Sequence, residues 1–258
     1  MEQVRIPESG RGLPTTKMIP PFLVWALLCF AGAASIAYAV KTNWESLLES
    51  DQTIGQALFG IAREYAAVAD LTWIWHTLGT PRVLLPIVVV VVIALLVARH
   101  WGFACFLVAT SVGGVLIAEV VKHSVERERP VWSDPLFTET GFSFPSGHAM
   151  AGIYAWAVFG IIALYLIRGP LGAILGWALI IFGFLMGPSR IFLGVHWTSD
   201  IVAGWLLALG WVLVVSSVAI WLSTRRQMRR QADYPVPTNE LGGLNDGGVG
   251  RHRDAGQL

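Results

Sequence analysis

The sequence predicts an all-α, polytopic membrane protein built as a bundle of six transmembrane helices. Hydrophobic residues make up 55% of the 258 residues, charged residues only 14%, and the mean hydropathy is +0.61. A chain this apolar does not resemble an ordinary soluble domain. Apolar runs long enough to cross a bilayer lie at 21–40, 82–99, 102–121, 148–167, 170–187 and 199–222.

These runs divide the chain into an N-terminal segment (1–20), one membrane domain (21–222) and a C-terminal tail (223–258). The tail starts with a group of arginines and continues through glycine, aspartate and proline, which offer little surface to bury. We therefore expect a disordered tail.

The first apolar run has features of both a membrane helix and a signal peptide. It follows several basic residues and ends in Ala37-Tyr38-Ala39, which is typical of a cleavage site. The run is about 20 residues long, which is longer than a usual signal core. We predict a retained first helix, with a cleaved signal peptide as the alternative.

Basic residues near the helix ends predict the orientation, because cytoplasmic loops carry the excess of lysine and arginine. They precede the first run, follow the last one, and occur in the short loops at Arg99 and Arg168. An even number of spans then places both termini in the cytoplasm. The polar motifs described below fall on the opposite, periplasmic or extracellular face.

The 41–81 connection contains a helical pattern of its own. Ile54, Leu58, Ile61 and Tyr65 recur at the spacing of one helix face. The pattern predicts an amphipathic helix that lies either at the lipid interface or against the loops of the bundle.

Charge and cysteine content exclude several classes of function. The net charge of +1 gives no basic face for nucleic acid, so nucleic acid is not a predicted partner. Cys29 and Cys105 both lie inside apolar runs, where cysteine behaves as a small hydrophobe. No cluster of carboxylates suits a divalent cation, so we predict neither a metal nor a cofactor.

The first polar motif reads KHSVERERP and begins at Lys122. Arg129 follows seven residues later, so a mobile ammonium and a forked guanidinium can face the same anion. Glu119, an acid inside an apolar run, is placed one turn before Lys122 and is expected to pair with it. Between the two cations, Glu126 and Arg127 could pair with each other or adjust the charge of the site.

The second motif is Pro145-Ser146-Gly147-His148, directly before an apolar helix. Free backbone N–H groups at a helix start favour an anion, Ser146 can donate a hydrogen bond or cap the helix, and Gly147 allows close approach. His148 can exchange a proton near neutral pH. Taken alone, the motif is equally consistent with a capping serine beside a histidine without function.

The third motif reads SRIFLGVHWTSD and contains Arg190, His196 and Asp200. Arg190 can hold two phosphate oxygens. His196 and Asp200 are four residues apart, the spacing that brings side chains together on one helix face. An aspartate on one ring nitrogen leaves the other free to attack phosphorus, although the pair could also only satisfy two polar groups.

Together the three motifs resemble the signature of the type 2 phosphatidic acid phosphatase superfamily, over roughly residues 20 to 222. The resemblance implies that Lys122, Arg129, Ser146, Gly147 and Arg190 bind phosphate. It also implies a metal-independent phosphatase in which His196 is the nucleophile, Asp200 orients it, and His148 protonates the leaving group. A phosphohistidine intermediate follows from these roles.

The expected function is hydrolysis of a lipid phosphate or diphosphate, with membrane lipids as the other partners. Undecaprenyl diphosphate, phosphatidylglycerol phosphate and phosphatidic acid are substrates of the family, and we prefer a prenyl diphosphate. A non-catalytic lipid-phosphate binding or transport protein is one alternative. A vanadate-dependent haloperoxidase is another, against which the apolar runs argue. The sequence does not specify the oligomeric state.

Two further groups of residues lie outside the three motifs. The loop from Trp132 to Thr140 could contact the head or tail of the substrate. His76, His100, His123 and His252 lie outside the motifs, and we assign them no role.

Overall fold

The structure, a computed structural model, describes residues 16–233, with side chains to residue 229. Expectations for residues 1–15 and 234–258, including His252, fall outside the described residues. The α-helices are α1 (Ile19–Lys41), α2 (Glu45–Glu64), α3 (Ala66–Gly79), α4 (Pro81–Val97), α5 (Trp101–Val125), α6 (Gly147–Ala151), α7 (Val158–Leu166), α8 (Gly169–Phe192) and α9 (Thr198–Asp233). A π-helical stretch, Gly152–Ala157, joins α6 to α7. The chain forms two units, Met1–Trp221 and Leu222–Leu258, and the candidate site belongs to the first.

The described residues contain no β-strand, and the protein spans the membrane several times. Five helical segments are long and apolar enough to cross a bilayer: Thr16–Lys41, Trp101–Val125, Gly147–Leu166, Gly169–Phe192 and Thr198–Arg229. The prediction of an all-helical membrane bundle is confirmed. Large apolar side chains on these helices are exposed, such as Leu27 at 69% and Leu171 at 68%, as a lipid-facing surface requires.

The sixth candidate span is a bent pair rather than a single helix. α3 and α4 meet at an angle of 56°. Thr80, between them, has an extended backbone, because the ring of the following Pro81 clashes with a helical conformation at Thr80. Pro81 then starts α4, where its missing N–H costs nothing.

The last helix extends beyond its predicted end. We expected a disordered tail from residue 223, but α9 continues to Asp233. Residues 223–233 contain neither glycine nor proline and are rich in arginine and glutamine, which favour helices. The prediction was therefore wrong for residues 223–233.

The 41–81 connection forms two helices, α2 and α3, and α2 packs on the bundle with one side. That side is buried and consists of Asp51, Gly55, Phe59 and Ala62. Leu58, of the predicted stripe, packs against the buried cluster that contains Ile191 and Ile201. The other residues of the stripe are exposed, Ile54 and Ile61 at 40% each and Tyr65 at 55%. The helix therefore has features of both expected arrangements.

Glycines allow the helix around the π-helical stretch to approach α8 closely. A Cβ atom on Gly152 would lie 1.9 Å from the carbonyl oxygen of Gly183, and one on Gly160 would lie 2.5 Å from that of Gly176. Small residues at such positions let two membrane helices pack backbone to backbone. This contact fixes the helix that begins with His148 against the helix that ends near Arg190.

Candidate active site

The three polar motifs meet at one end of the bundle. Alternating helix directions bring the carboxyl ends of α5 and α8 together with the amino ends of α6 and α9. The predicted residues stand on these ends and on the loops beside them: Lys122, Arg129, Ser146, Gly147, His148, Arg190, His196 and Asp200. A backbone hydrogen bond links two of the motifs, since the Ser146 N–H donates to the Asp200 carbonyl oxygen at 3.1 Å.

His196 is buried between a carboxylate and a guanidinium. Its Nδ1 atom lies 3.4 Å from Asp200 Oδ2, and its Nε2 atom lies 3.1 Å from Arg129 Nη1. A guanidinium only donates hydrogen bonds, so Nε2 must be the accepting nitrogen. The proton of the neutral ring is then on Nδ1, where it can be donated to Asp200.

The surroundings of His196 keep the imidazole neutral. Burial lowers the pKa of His196 well below its ordinary value, and the nearby charges of Arg129 and Arg190 lower it further. The negative charge of Glu139 opposes this shift only in part. A neutral ring with an unprotonated Nε2 is the form that can act as a nucleophile, once the Nε2 lone pair is released from the Arg129 donor.

Arg129 and Arg190 converge on one carboxylate, that of Glu139. Arg129 Nη1 lies 3.4 Å from Glu139 Oε2, and Arg190 Nη2 donates to the same oxygen. Arg190 is fully buried, and its Nε atom has no hydrogen-bond acceptor within the described residues. The two arginines thus form an anion-binding site beside Nε2 of His196.

Glu139 is negatively charged in this position. Burial raises its pKa, but the charges of Arg190 and Arg129 and the hydrogen bond from Arg190 outweigh burial and leave the pKa below its ordinary value. Glu139 belongs to the Trp132–Thr140 loop between α5 and α6, but the sequence did not single it out from the other residues of that loop. Within residues 16–233, no three His, Cys, Asp or Glu side chains group as metal ligands.

Lys122 and the PSGH motif line the same side of the site. Lys122 Nζ lies 3.5 Å from Glu119 Oε1, which confirms the predicted pair. The same Nζ would be 3.9 Å from a Cβ atom on Gly147. Ser146 caps α6, since its Oγ accepts from the Ala149 N–H at 3.4 Å.

His148 contacts His76, a residue to which we had assigned no role. His148 Nε2 donates to the His76 carbonyl oxygen at 3.1 Å, and the two rings stack with centroids 5.6 Å apart. His76 Nδ1 accepts from Arg190 Nη1 at 2.7 Å. His76 therefore connects two of the motifs, and its position at the end of α3, far from them in the sequence, gave no indication of this.

Arg127 does not pair with Glu126. Glu126 ends α5 in the left-handed conformation and is exposed, whereas the Arg127 side chain is only 8% exposed. Arg127 Nη2 donates to Asp51 Oδ2 and Nη1 donates to Asp200 Oδ1, each at 2.8 Å. Asp51 was also absent from the predicted site, because it stands in α2.

The Trp132–Thr140 loop packs over the site. Trp132 Nε1 donates to the Gly194 carbonyl oxygen at 2.7 Å and its ring stacks on Phe59. Phe137 lies against His76, with ring centroids 4.6 Å apart. A cavity of about 230 Å³ under this loop is lined by both Arg129 and Glu139. A larger cavity of about 500 Å³ opens behind Arg127, away from the two converging arginines.

Buried arginines beside a neutral histidine, at one end of a membrane helix bundle, form a site that suits a phosphoryl group, as a membrane phosphatase requires. The family model of the PAP2 superfamily matches residues 102–224. Phosphatidylglycerophosphatase B of Bacillus subtilis is 32% identical over 179 residues, which cover 67% of this chain and 84% of that protein. The chain therefore belongs to the PAP2 superfamily.

Two further comparisons agree with this assignment. An undecaprenyl-diphosphatase of Sulfolobus acidocaldarius is 28% identical over 205 residues, covering 76% of this chain and 90% of that protein. The crystal structure of a transmembrane PAP2-type phosphatidylglycerolphosphate phosphatase from Bacillus subtilis superposes with a TM-score of 0.63 at 26% identity, covering 74% of this chain and 93% of that one. The predictions of the family and of a membrane phosphatase are confirmed.

Proposed function

We propose that this protein hydrolyses a lipid phosphate or diphosphate through a phosphohistidine on His196. The observation that carries the proposal is the meeting of Arg129 and Arg190 on one oxygen of Glu139, beside Nε2 of His196. Two guanidiniums in a buried site recognise an anion with several oxygens, and a phosphoryl group fits this requirement.

The carboxylate of Glu139 stands in for the phosphoryl oxygens of the substrate. A bound phosphate displaces it and accepts from Arg129 and from Arg190, including the unpartnered Nε of Arg190. Lys122, close to Gly147, adds a third positive charge. These fixed cations stabilise the charge that develops on the transferred group.

In the first step, Nε2 of His196 attacks phosphorus and the bond from phosphorus to the lipid oxygen breaks. Asp200 accepts from Nδ1–H and stabilises the positive charge on the phosphorylated ring. His148 gives a proton to the departing lipid oxygen. Because its Nε2 donates to the His76 carbonyl, Nδ1 is the nitrogen available for proton exchange.

In the second step, water attacks the phosphohistidine. His148 takes a proton from that water, the bond from phosphorus to Nε2 breaks, and inorganic phosphate leaves with both electrons returned to the imidazole. The enzyme is then ready for the next lipid, and Glu139 can rebind the arginines.

Phosphatidylglycerol phosphate is the first substrate we propose, with undecaprenyl diphosphate as the second. The relative at 32% identity and the solved structure are both named for phosphatidylglycerol phosphate, whereas the relative at 28% is named for undecaprenyl diphosphate. This order reverses the preference we drew from the sequence. Both lipids present a phosphate at the bilayer surface and a tail for the exposed apolar helices.

We further propose that both termini are cytoplasmic and that the site faces the opposite side. Asp134, whose side chain is 76% exposed in the loop over the site, suits a labelling experiment. Asp134→Cys, in a variant with Cys29 and Cys105 replaced by serine, should react with a membrane-impermeant maleimide on intact cells. Reaction only after the cytoplasmic face is opened would contradict this orientation.

The activity is tested by phosphate release in detergent with chelator present. The wild-type chain and His196→Ala are each assayed with phosphatidylglycerol phosphate, undecaprenyl diphosphate and phosphatidic acid. We expect the rate of phosphate release to be at least about 10³-fold lower in His196→Ala. His100→Ala, an exposed histidine at the far end of α5, is the matched control and should keep full activity. Lipid binding without release from any of the three by the wild type would favour a non-catalytic protein.

A further inference from the structure

A chain of buried polar contacts connects α2 to the candidate nucleophile. Arg127 donates from one arm to Asp51 Oδ2 and from the other to Asp200 Oδ1, both at 2.8 Å. Asp51 is 2% exposed and Asp200 is fully buried. Asp200 in turn faces Nδ1 of His196 through its other oxygen, Oδ2.

Asp51 also holds the first turn of α9. Its Oδ1 accepts from the Ser199 N–H at 2.8 Å, and its Oδ2 accepts from the Ser199 hydroxyl. The Arg127 guanidinium donates to the same hydroxyl at 2.7 Å. Ser199 precedes Asp200 directly, so α2 anchors the segment that carries the orienting carboxylate.

The guanidinium determines how Asp200 meets His196. Both oxygens of Asp200 are engaged, Oδ1 by Arg127 and Oδ2 by the Trp197 N–H at 2.9 Å. These two contacts fix the plane of the carboxylate. A planar fork can bridge two carboxylates in this way, whereas a lysine would supply one point charge.

We propose that Asp51 and Arg127 are positioning residues, which hold Asp200 in the orientation that keeps the lone pair of His196 on Nε2. The inference rests on the proposed function, since it takes His196 as the nucleophile. It makes α2 a part of the catalytic apparatus. Neither residue touches the site where phosphate binds, so their effect should appear in the rate of the chemical step and not in substrate affinity.

The test compares Asp51→Asn with Asp70→Asn, the same chemical change at an exposed aspartate of α3. We expect kcat to fall about tenfold or more in Asp51→Asn with KM unchanged, and no change in Asp70→Asn. In an Asp200→Asn background, adding Asp51→Asn should lower kcat by less than about a further twofold, because both substitutions act on the same carboxylate. The proposal would be overturned by a wild-type kcat in Asp51→Asn. It would also be overturned if the kcat loss of the double variant equalled the product of the two single losses.

Arg127→Lys provides a second variant if Asp51→Asn does not fold. It keeps the positive charge but cannot bridge both carboxylates, so the same fall in kcat at constant KM is expected. A folded Arg127→Lys protein with wild-type kcat would contradict the inference.

A measurement without turnover separates this inference from the proposed function. The chain has six histidines, so ¹⁵N-histidine labelling and comparison with His196→Ala assign the Nδ1–H proton of His196. We expect that signal in the wild type and in Asp70→Asn, and its loss or rapid exchange in Asp51→Asn. An unchanged signal in Asp51→Asn would overturn the positioning role even if the wild-type protein released no phosphate.

Discussion

Arg129 Nη1 lies 3.1 Å from Nε2 of His196, so the guanidinium that we propose to bind the substrate anion also touches the nitrogen that we propose to attack phosphorus. The arginine is held in place by backbone carbonyls, with Nε donating to Gly141 at 3.0 Å and Nη1 to Val195 at 2.9 Å. In the proposed mechanism Arg129 turns its donor from Nε2 to the phosphoryl oxygens, which releases the lone pair of His196 for attack. The charge of Arg129 also lowers the pKa of His196, in addition to the larger effect of burial, and so favours the neutral imidazole.

Glu139→Gln should strengthen anion binding. The carboxylate competes with phosphate for Arg129 and Arg190, and an amide carries no charge with which to compete. We expect inorganic phosphate and vanadate to inhibit about tenfold more strongly, a change of about 1.4 kcal/mol. Inhibition constants for lipid hydrolysis provide the measurement.

Glu128→Gln is the control for this prediction, because Glu128 is an exposed acid of the same loop. Its inhibition constants should equal those of the wild type. Weaker anion binding in Glu139→Gln would indicate instead that the carboxylate is needed to hold the arginines apart.

The pKa of His196 should move in opposite directions in two variants. Arg129→Gln removes a cation that lowers the pKa, so the pKa should rise towards its ordinary value of 6.5. Glu139→Gln removes an anion that raises the pKa, so the pKa should fall further. A ¹⁵N NMR titration of the imidazole measures both shifts without turnover. Shifts of the same sign would show that the charges around His196 are misassigned.

Gly79→Ala should impair catalysis through His148. A Cβ atom at position 79 would lie 2.3 Å from Cδ2 and 2.9 Å from Nε2 of His148, so the ring must move. We expect kcat to fall about 100-fold, within the range of general acid catalysis. Gly60→Ala, where nothing lies within 4 Å, is the matched change and should keep full activity. Equal kcat in the two variants would refute the role of His148.

Gly152→Ala should destabilise the membrane domain. Its new methyl group would overlap the Gly183 carbonyl oxygen. A backbone atom cannot avoid the overlap by changing rotamer, as a side chain can. Overpacking of this kind costs about 1–3 kcal/mol or more. Thermal unfolding in detergent should show a midpoint several degrees lower than that of Gly102→Ala, which has open space around it. Equal midpoints would mean that α8 moves aside at little cost.

The three motifs could be predicted because the residues in each are close in sequence. His196, which lies just before α9, meets Asp200 in the first turn of that helix, and Lys122 meets Glu119 across one turn of α5. Short sequence spacing alone indicates both contacts. The apolar runs predicted the spans for a similar reason. Helix length and hydropathy are local properties of a chain in a bilayer.

The remaining site residues could not be predicted because tertiary packing brings them to the motifs. Asp51 is 148 positions from Ser199, and His76 is 114 positions from Arg190. Glu139 is an acid among cations, and nothing in its neighbours distinguishes it from an exposed loop acid. The partners of α2 could not be predicted because one apolar stripe does not distinguish lipid from protein, and Asp51 gives no sequence signal that it is buried.

The central claim is that phosphate passes through His196, and trapping the intermediate tests it most directly. The wild type, His196→Ala and His100→Ala are mixed with phosphatidylglycerol phosphate carrying ³²P in the terminal phosphate and quenched in alkali within the first turnover. We predict an alkali-stable, acid-labile label on the wild type and on His100→Ala, and none on His196→Ala. Phosphate release by a wild type that never carries label, or label that persists in His196→Ala, would contradict the account.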